Sequence, residues 1–185
     1  DSGAMWTYLT TGPYATEADM LVWLRECAAK TDPQFYTIFD QDGEQPLGLA
    51  SYLRIDPLAG SIEVGWLHFS PALQRSRLAT AAMALMMANA FALGYRRYEW
   101  KCNAFNQPSW QAALRLGFSY EGTFRQSRVD KGRTRDTAWF SVIDSEWPAL
   151  QACFERWLAP ENFDAEGRQR VALSALTAPI LKLRG

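Results

Sequence analysis

The chain has 185 residues, 48% hydrophobic and 14% aromatic, with a formal net charge of −1. That length supports one domain with a sizeable core, whereas two domains would be small. A charge this near zero gives no global basic field for nucleic acid. The scattered Cys27, Cys102 and Cys153 and a single histidine argue against a disulfide framework and a structural zinc site. No run of about 18 apolar residues marks a membrane span, and no signal peptide is visible. The expectation is a reducing, cytoplasmic setting, with no metal, no membrane and no nucleic-acid partner.

Residues 1–14 are aromatic and Gly/Pro-marked and read as an irregular lead-in. Thr16 can cap a helix with Glu17 and Asp19 in its first turn. Met20, Leu21, Leu24, Cys27 and Ala28 supply its apolar face, and Thr31-Asp32-Pro33 stops it. Three strands follow, Gln34–Asp40, Leu47–Arg54 and Ser61–Phe69. The short turns at 41–44 and 56–60 imply an antiparallel meander.

A long helix is expected from about Leu78 to Leu93, with Ala79, Met83, Met86, Ala90 and Leu93 as its stripe and Leu78, Ala82 and Leu85 widening it. Gly94 ends it, and Tyr95–Cys102 is the next strand, which makes a parallel crossover. Pro108 opens a short helix, Ser109–Leu116, that ends at Gly117. Strands Phe118–Gln126 and Arg135–Ile143 flank a basic turn with Arg128, Lys131, Arg133 and Arg135. Glu146–Leu158 is a helix with Trp147, Leu150, Phe154 and Trp157 along one side. Ala165–Leu183 reads as a last, weaker helix.

The loop Gln74-Arg75-Ser76-Arg77-Leu78-Ala79-Thr80 joins the third strand to the long helix. Backbone N–H groups and the positive helix end suit a phosphate or pyrophosphate there. Ser76 and Thr80 add donors, and Arg75 and Arg77 add charge. The bland alternative is a solvated, mildly basic helix start. Gly65 inside its strand marks either a bulge or a packing site beneath an aromatic such as Trp66.

The order of elements, the loop, Asn106-Gln107-Pro108-Ser109 followed by Gly117-Phe118, and the stretch from Phe124 to Pro148 resemble the GNAT (Gcn-five-related N-acetyltransferase) superfamily, in particular its RimJ/RimL-like branch. The resemblance covers roughly residues 34–148. It implies an α/β (α+β) fold: a mixed, mostly antiparallel sheet with a splayed central strand pair, flanked by helices. Residues 1–158 would form the domain and 159–185 a helical extension. It also implies an acyl-CoA-dependent N-acyltransferase that moves acetyl from acetyl-CoA to a primary amine by direct attack. A homodimer is compatible with it. Two other readings stay open: a non-catalytic CoA-binding module, and a different donor such as succinyl-CoA met by the arginines of 125–135.

The resemblance assigns Gln74, Arg75, Ser76, Arg77, Leu78, Ala79 and Thr80 to the pyrophosphate, and the backbones of Leu67, His68 and Phe69 to the acyl-pantetheine arm. Arg77 stands where the family pattern has its first glycine, so it either crowds the pyrophosphate or binds it. The thiol-side tyrosine of many members is replaced by Ala113, leaving Ser109 for the thiol and Asn106 for the pantetheine or as a helix cap. The family's opening strand and helix are not evident ahead of Trp6, which implies a trimmed start or a strand supplied otherwise. An amine must lose a proton to be acylated. Glu63, eleven positions before Gln74, matches the base position of well-known members, and Asp136 is a second candidate; the alternatives are a cross-strand ion pair or solvated strand residue for Glu63 and a turn or salt-bridge residue for Asp136. On unbroken alternation Glu63 shares its face with Gly65, Leu67 and Phe69, while Val64, Trp66 and His68 face the other way. A satisfied strand histidine and a buried structural thiol are the readings for the side chains of His68 and Cys102.

Overall fold

A computed structural model of the protein describes residues 3–185. Six strands form one sheet in the order β1-β2-β3-β4-β6-β5: β1 Gln34–Phe39, β2 Pro46–Asp56, β3 Ser61–Phe69, β4 Arg97–Asn103, β5 Ser119–Asp130 and β6 Arg133–Ile143. All neighbours are antiparallel except β3 and β4. These two are joined by the crossover helix α2 (Arg77–Ala92). The expected meander and crossover are therefore present, and the sheet is mixed and mostly antiparallel.

Helix α1 (Glu17–Ala28) begins at Thr16, whose hydroxyl accepts from the Asp19 amide while Asp19 accepts from the Thr16 amide, a reciprocal capping box. Its buried residues are Trp23 and Cys27, and Leu21 is exposed. The face expected from sequence left out Trp23. That indole is the one that matters, because it packs on Phe35, Trp66 and His68.

Helix α2 lies on the other side of the sheet. Its buried side is Ala79, Thr80, Met83, Ala84, Met87 and Ala90, with Leu85 and Leu93 exposed. The helix is apolar nearly all round, so periodicity alone could not choose the stripe. The core it closes holds Tyr52, Ile62, Val64, Tyr98, Trp100, Phe118 and Phe140, joined by helices α3 (Gln107–Arg115) and α4 (Trp147–Leu158). Burying side chains such as Met83 and Met87 contributes on the order of 1.5–3 kcal/mol each.

The β5–β6 hairpin is longer than its basic composition indicated. Both strands run to a two-residue turn at Lys131-Gly132, each with positive φ (51° and 74°). A register shift between Phe124 and Arg128 bends β5.

The helix expected over Ala165–Leu183 is replaced by a strap containing only a five-residue helix, α5 (Leu173–Thr177). Side chains satisfy its backbone instead of a helical ladder. Asn162, itself buried, donates to the Trp157 and Val171 carbonyls and accepts from the Val171 amide. Thr177 donates to the Arg115 carbonyl, and the Tyr120 amide donates to the Leu183 carbonyl. Leu173 and Thr177 are fully buried, so the strap is part of the core. Among the described residues no helix is long and apolar enough to cross a membrane.

Candidate active site

The site is a gap in the sheet. β3 and β4 pair only from Ser61–Val64 with Arg97–Trp100. Beyond that point β3 continues to Phe69 bonded to β2 alone, and β4 continues to Asn103 bonded to β6 alone. A bulge accompanies the parting. Leu49 pairs with His68 and Ser51 with Gly65, so Ala50 faces both Trp66 and Leu67. The positive φ lies at Trp66 (51°), one residue past the glycine. Gly65 itself meets a packing need, since a Cβ there would lie 3.0 Å from Leu53 Cδ2.

The bulge overturns the expected alternation. The extra residue moves Leu67 and Phe69 onto the α2 side, where they pack with Ile62 and Val64. Trp66 and His68 move to the opposite side, among Trp23, Phe35 and Trp6. His68 therefore shares the sheet face of Glu63.

At the foot of the gap sits the loop 74–80. Gln74 Nε2 donates to the Phe69 carbonyl at 2.8 Å, tying loop to strand. Arg75 adopts φ +59°. Ser76 is the N-cap of α2: its Oγ accepts from the Ala79 amide at 3.0 Å and donates to the Leu73 carbonyl at 2.6 Å. No acidic residue lies in the first turn, so its free amides and positive end face the gap uncompensated.

Arg77 leaves this cradle. Its guanidinium donates to the Leu158 carbonyl at the end of α4 and lies over the Phe163 ring, 4.5 Å from the centroid. A different arginine takes the position beside the loop. Arg115, the last residue of α3, donates to Thr80 Oγ1 at 3.0 Å and has no carboxylate partner among the described residues. Burial pushes its guanidinium below the usual arginine range. Sequence reading missed Arg115, 35 positions from Thr80; its place just before Gly117-Phe118 was the available signal.

On the β4 wall, Asn106 caps α3 by accepting from the Ser109 amide at 3.3 Å. The Ser109 hydroxyl accepts from Trp100 Nε1 at 3.1 Å. It also hydrogen-bonds the Cys102 thiol, which burial pushes up to about 11; a thiol so raised stays protonated and unreactive.

Glu63 lies on the opposite sheet face from Ser109. Its Oε2 accepts from Arg54 of β2 and lies 2.8 Å from Lys101 Nζ of β4. Lys101 also reaches Glu99 at 3.2 Å and lies 3.3 Å from the Trp139 ring centroid. Desolvation holds its ammonium below the usual lysine range against the pull of both carboxylates. Glu63 thus bridges three strands where the gap begins. Asp136 is committed elsewhere: its Oδ1 accepts from the Gln126 amide at 2.7 Å, capping the bend of β5. Of the hairpin arginines, Arg128 and Arg135 both pair with Asp130.

His68 is 6% exposed. Its Nε2 is buried with no hydrogen-bond partner among the described residues. Burial pushes the imidazole down to about 4. Among the described residues no cluster of His, Cys, Asp and Glu could hold a metal ion.

A six-stranded mixed sheet parted between its two parallel strands, with an anion-ready helix start at the foot of the opening, defines an acyltransferase fold. Residues 1–119 match the model of the acetyltransferase (GNAT) domain, and the chain belongs to that family of N-acetyltransferases. The ribosomal-protein-serine acetyltransferase of Escherichia coli K12 is 33% identical over 115 residues, 61% of this chain; the chain spans 63% of that relative's length. A GCN5-related N-acetyltransferase from Brucella melitensis is 46% identical, with a TM-score of 0.93 over 96% of this chain and 81% of its own. A GNAT-family protein from Chromobacterium violaceum ATCC 12472 is 44% identical, with a TM-score of 0.76 over 79% of this chain and 74% of its own.

Proposed function

We propose that the protein binds acetyl-CoA in the gap between β3 and β4 and transfers acetyl to a primary amine by direct attack, with no covalent enzyme intermediate. One observation carries this reading. The unpaired edge of β3 ends above a helix start that has free amides, no acid in its first turn and a half-buried guanidinium, Arg115, with no carboxylate partner among the described residues. Such an arrangement is unfavourable without an anion, and a pyrophosphate supplies one.

The amides of Arg75, Arg77 and Leu78, with Ser76, Thr80 and Arg115, are the groups for the pyrophosphate. The backbones of Leu67, His68 and Phe69 can take an extended pantetheine arm as an added strand would be taken. Ser109 stands on the other wall, where its hydroxyl can turn from Cys102 to donate to a departing thiolate. Glu63 and Asp136 we assign to structure: the first clamps the strands at the gap's origin and the second fixes the hairpin that borders it. The acceptor is an amine of a protein N-terminus or a small molecule; the name of the E. coli relative points to the former.

Isothermal titration of the full chain with acetyl-CoA tests the donor site. Saturable binding is expected, and Arg115→Met should weaken it about tenfold, the worth of one charged hydrogen bond. No binding at millimolar ligand by the folded protein would overturn the reading. Thiol release is then followed with peptides bearing N-terminal serine, spermidine and glucosamine. Tight binding with no release from any amine would favour a non-catalytic CoA module.

A further inference from the structure

The acetyl-transfer reading, on which this inference rests, leaves the amine's proton without a receiver, because both carboxylates offered for it are engaged. Another group stands on the correct side. The bulge at Trp66 turns His68 away from the α2 face and onto the face of Glu63. Its backbone belongs to the unpaired stretch of β3, so the side chain springs from the wall of the gap. The imidazole is walled by rings, with Trp6 at 4.9 Å and Trp23 at 5.2 Å between centroids. Among the described residues no carboxylate or cation bonds it, and its Nε2 is buried without a hydrogen-bond partner. Buried polar atoms are nearly always satisfied, and an exception calls for a ligand or a task.

The lead-in segment bounds the same place. Trp6 lies edge-on against His68, and its ring rests where a Cβ at Gly12 would collide with it. From there the segment crosses to the other arm of the sheet: the Tyr8 hydroxyl donates to the Phe105 carbonyl at 3.1 Å, and Lys131 Nζ donates to the Trp6 carbonyl at 2.8 Å. The segment therefore spans the gap on the side away from α2, and on that side Trp6 packs over His68.

We propose that the His68 side chain is a catalytic residue: it accepts a hydrogen bond from the attacking primary amine and takes its proton as the acetyl group transfers. The amine's lone pair forms the new C–N bond to the thioester carbon. The C–S bond breaks, and its electron pair leaves on the CoA thiolate. The proton lost by nitrogen goes to the imidazole and then to solvent, while Ser109 donates a hydrogen bond to the sulfur. The burial that keeps the imidazole neutral leaves its acceptor lone pair free at neutral pH. The nitrogen becomes strongly acidic only as the C–N bond forms, so a weak base is sufficient at that moment.

The test compares the full chain with His68→Gln and His68→Gly, using acetyl-CoA and the amine panel above. Both variants are expected to bind acetyl-CoA as the wild type does, since the backbone contacts remain. Turnover should fall about a hundredfold or more in kcat, the usual worth of a general base. Added imidazole should restore part of the activity of His68→Gly, a rescue that a purely structural role would not give to kcat. Wild-type turnover matched by His68→Gln overturns the assignment of His68 and leaves the acetyl-transfer reading intact. Acetyl-CoA binding with no turnover by the wild type on any amine overturns both.

Discussion

Between Ser61 and Val64, β3 is bonded on both sides and its own residues alternate between the faces, the register shift there falling in β2 between Leu53 and Asp56, whereas between Gly65 and Phe69 β3 is bonded on one side and out of phase. The first half is held by side chains, with Glu63 gripping Arg54 and Lys101 across three strands. The second half has no strand partner on the gap side, and the Nε2 of its one ionisable side chain has no hydrogen-bond partner among the described residues. The contrast separates two tasks on one strand. Where β3 is saturated it fixes geometry, and where saturation is withheld it has groups left to offer a ligand.

The sharpest way to break the first half is to remove Glu63. Both it and Lys101 have side chains only 5% exposed, so losing one leaves the other buried with less compensation. Glu63→Leu should cost about 3–5 kcal/mol in urea unfolding. The double variant Glu63→Leu/Lys101→Met should recover most of that. A single-variant cost below about 1 kcal/mol, the level of exposed pairs, would show that the clamp is not structural.

The second half should show itself in pH. The imidazole of His68 sits at about 4 in the fold, against 6.5 when unfolded. The native state stays neutral while the unfolded state takes up a proton. Stability present above about pH 6.5 is therefore lost as pH falls toward 4, roughly 3 kcal/mol in all. Carboxylates titrate in the same range, so the measurement is a difference. Wild type minus His68→Gln should decline between pH 7 and pH 4.5, and a flat difference would mean the imidazole is solvated.

Much of this was legible beforehand. The meander, the crossover, and the caps at Thr16 and Asn106 follow from local chemistry that tertiary contacts did not override. What was hidden depends on a single inserted residue or on distance. Gly65 pointed to irregularity, but only the pairing with β2 shows that Trp66 takes the positive φ, and one residue of slip exchanges the faces of Leu67 and His68. The meeting of Arg115 with Thr80 and that of Lys101 with Glu63 join separate strands and helices and leave no periodic trace. The strap 159–185 is held by Asn162 and Thr177, whose side chains replace a ladder that composition suggested would be helical.

Gly48 offers a smaller, more local perturbation of the second half. It pairs with Phe69, and a Cβ there would lie 2.7 Å from the His68 carbonyl and 2.7 Å from Leu73 Cδ2. The backbone oxygen cannot rotate away as a side chain would. Gly48→Ala should cost about 1–3 kcal/mol as an overpacked site and weaken acetyl-CoA binding by displacing the free edge. Full stability with unchanged affinity would mean that β3 beyond the bulge yields easily, and the contrast between its halves would lose its physical basis.

The smallest expected effect decides what replaced the family's glycine. Arg77 and Arg115 both belong to the neighbourhood of the α2 start, yet one reaches the Leu158 carbonyl and Phe163 while the other stays beside Thr80. If Arg77 anchors the strap, Arg77→Ala removes one charged hydrogen bond and one cation–ring contact, about 1–2 kcal/mol of stability after solvent competition for its exposed side chain. Acetyl-CoA affinity should then stay within about twofold of wild type, in contrast to the tenfold loss for Arg115→Met. An affinity loss for Arg77→Ala as large as that for Arg115→Met would mean that Arg77 swings back to the pyrophosphate when the donor binds. In that case strap docking and donor binding would compete for the same guanidinium.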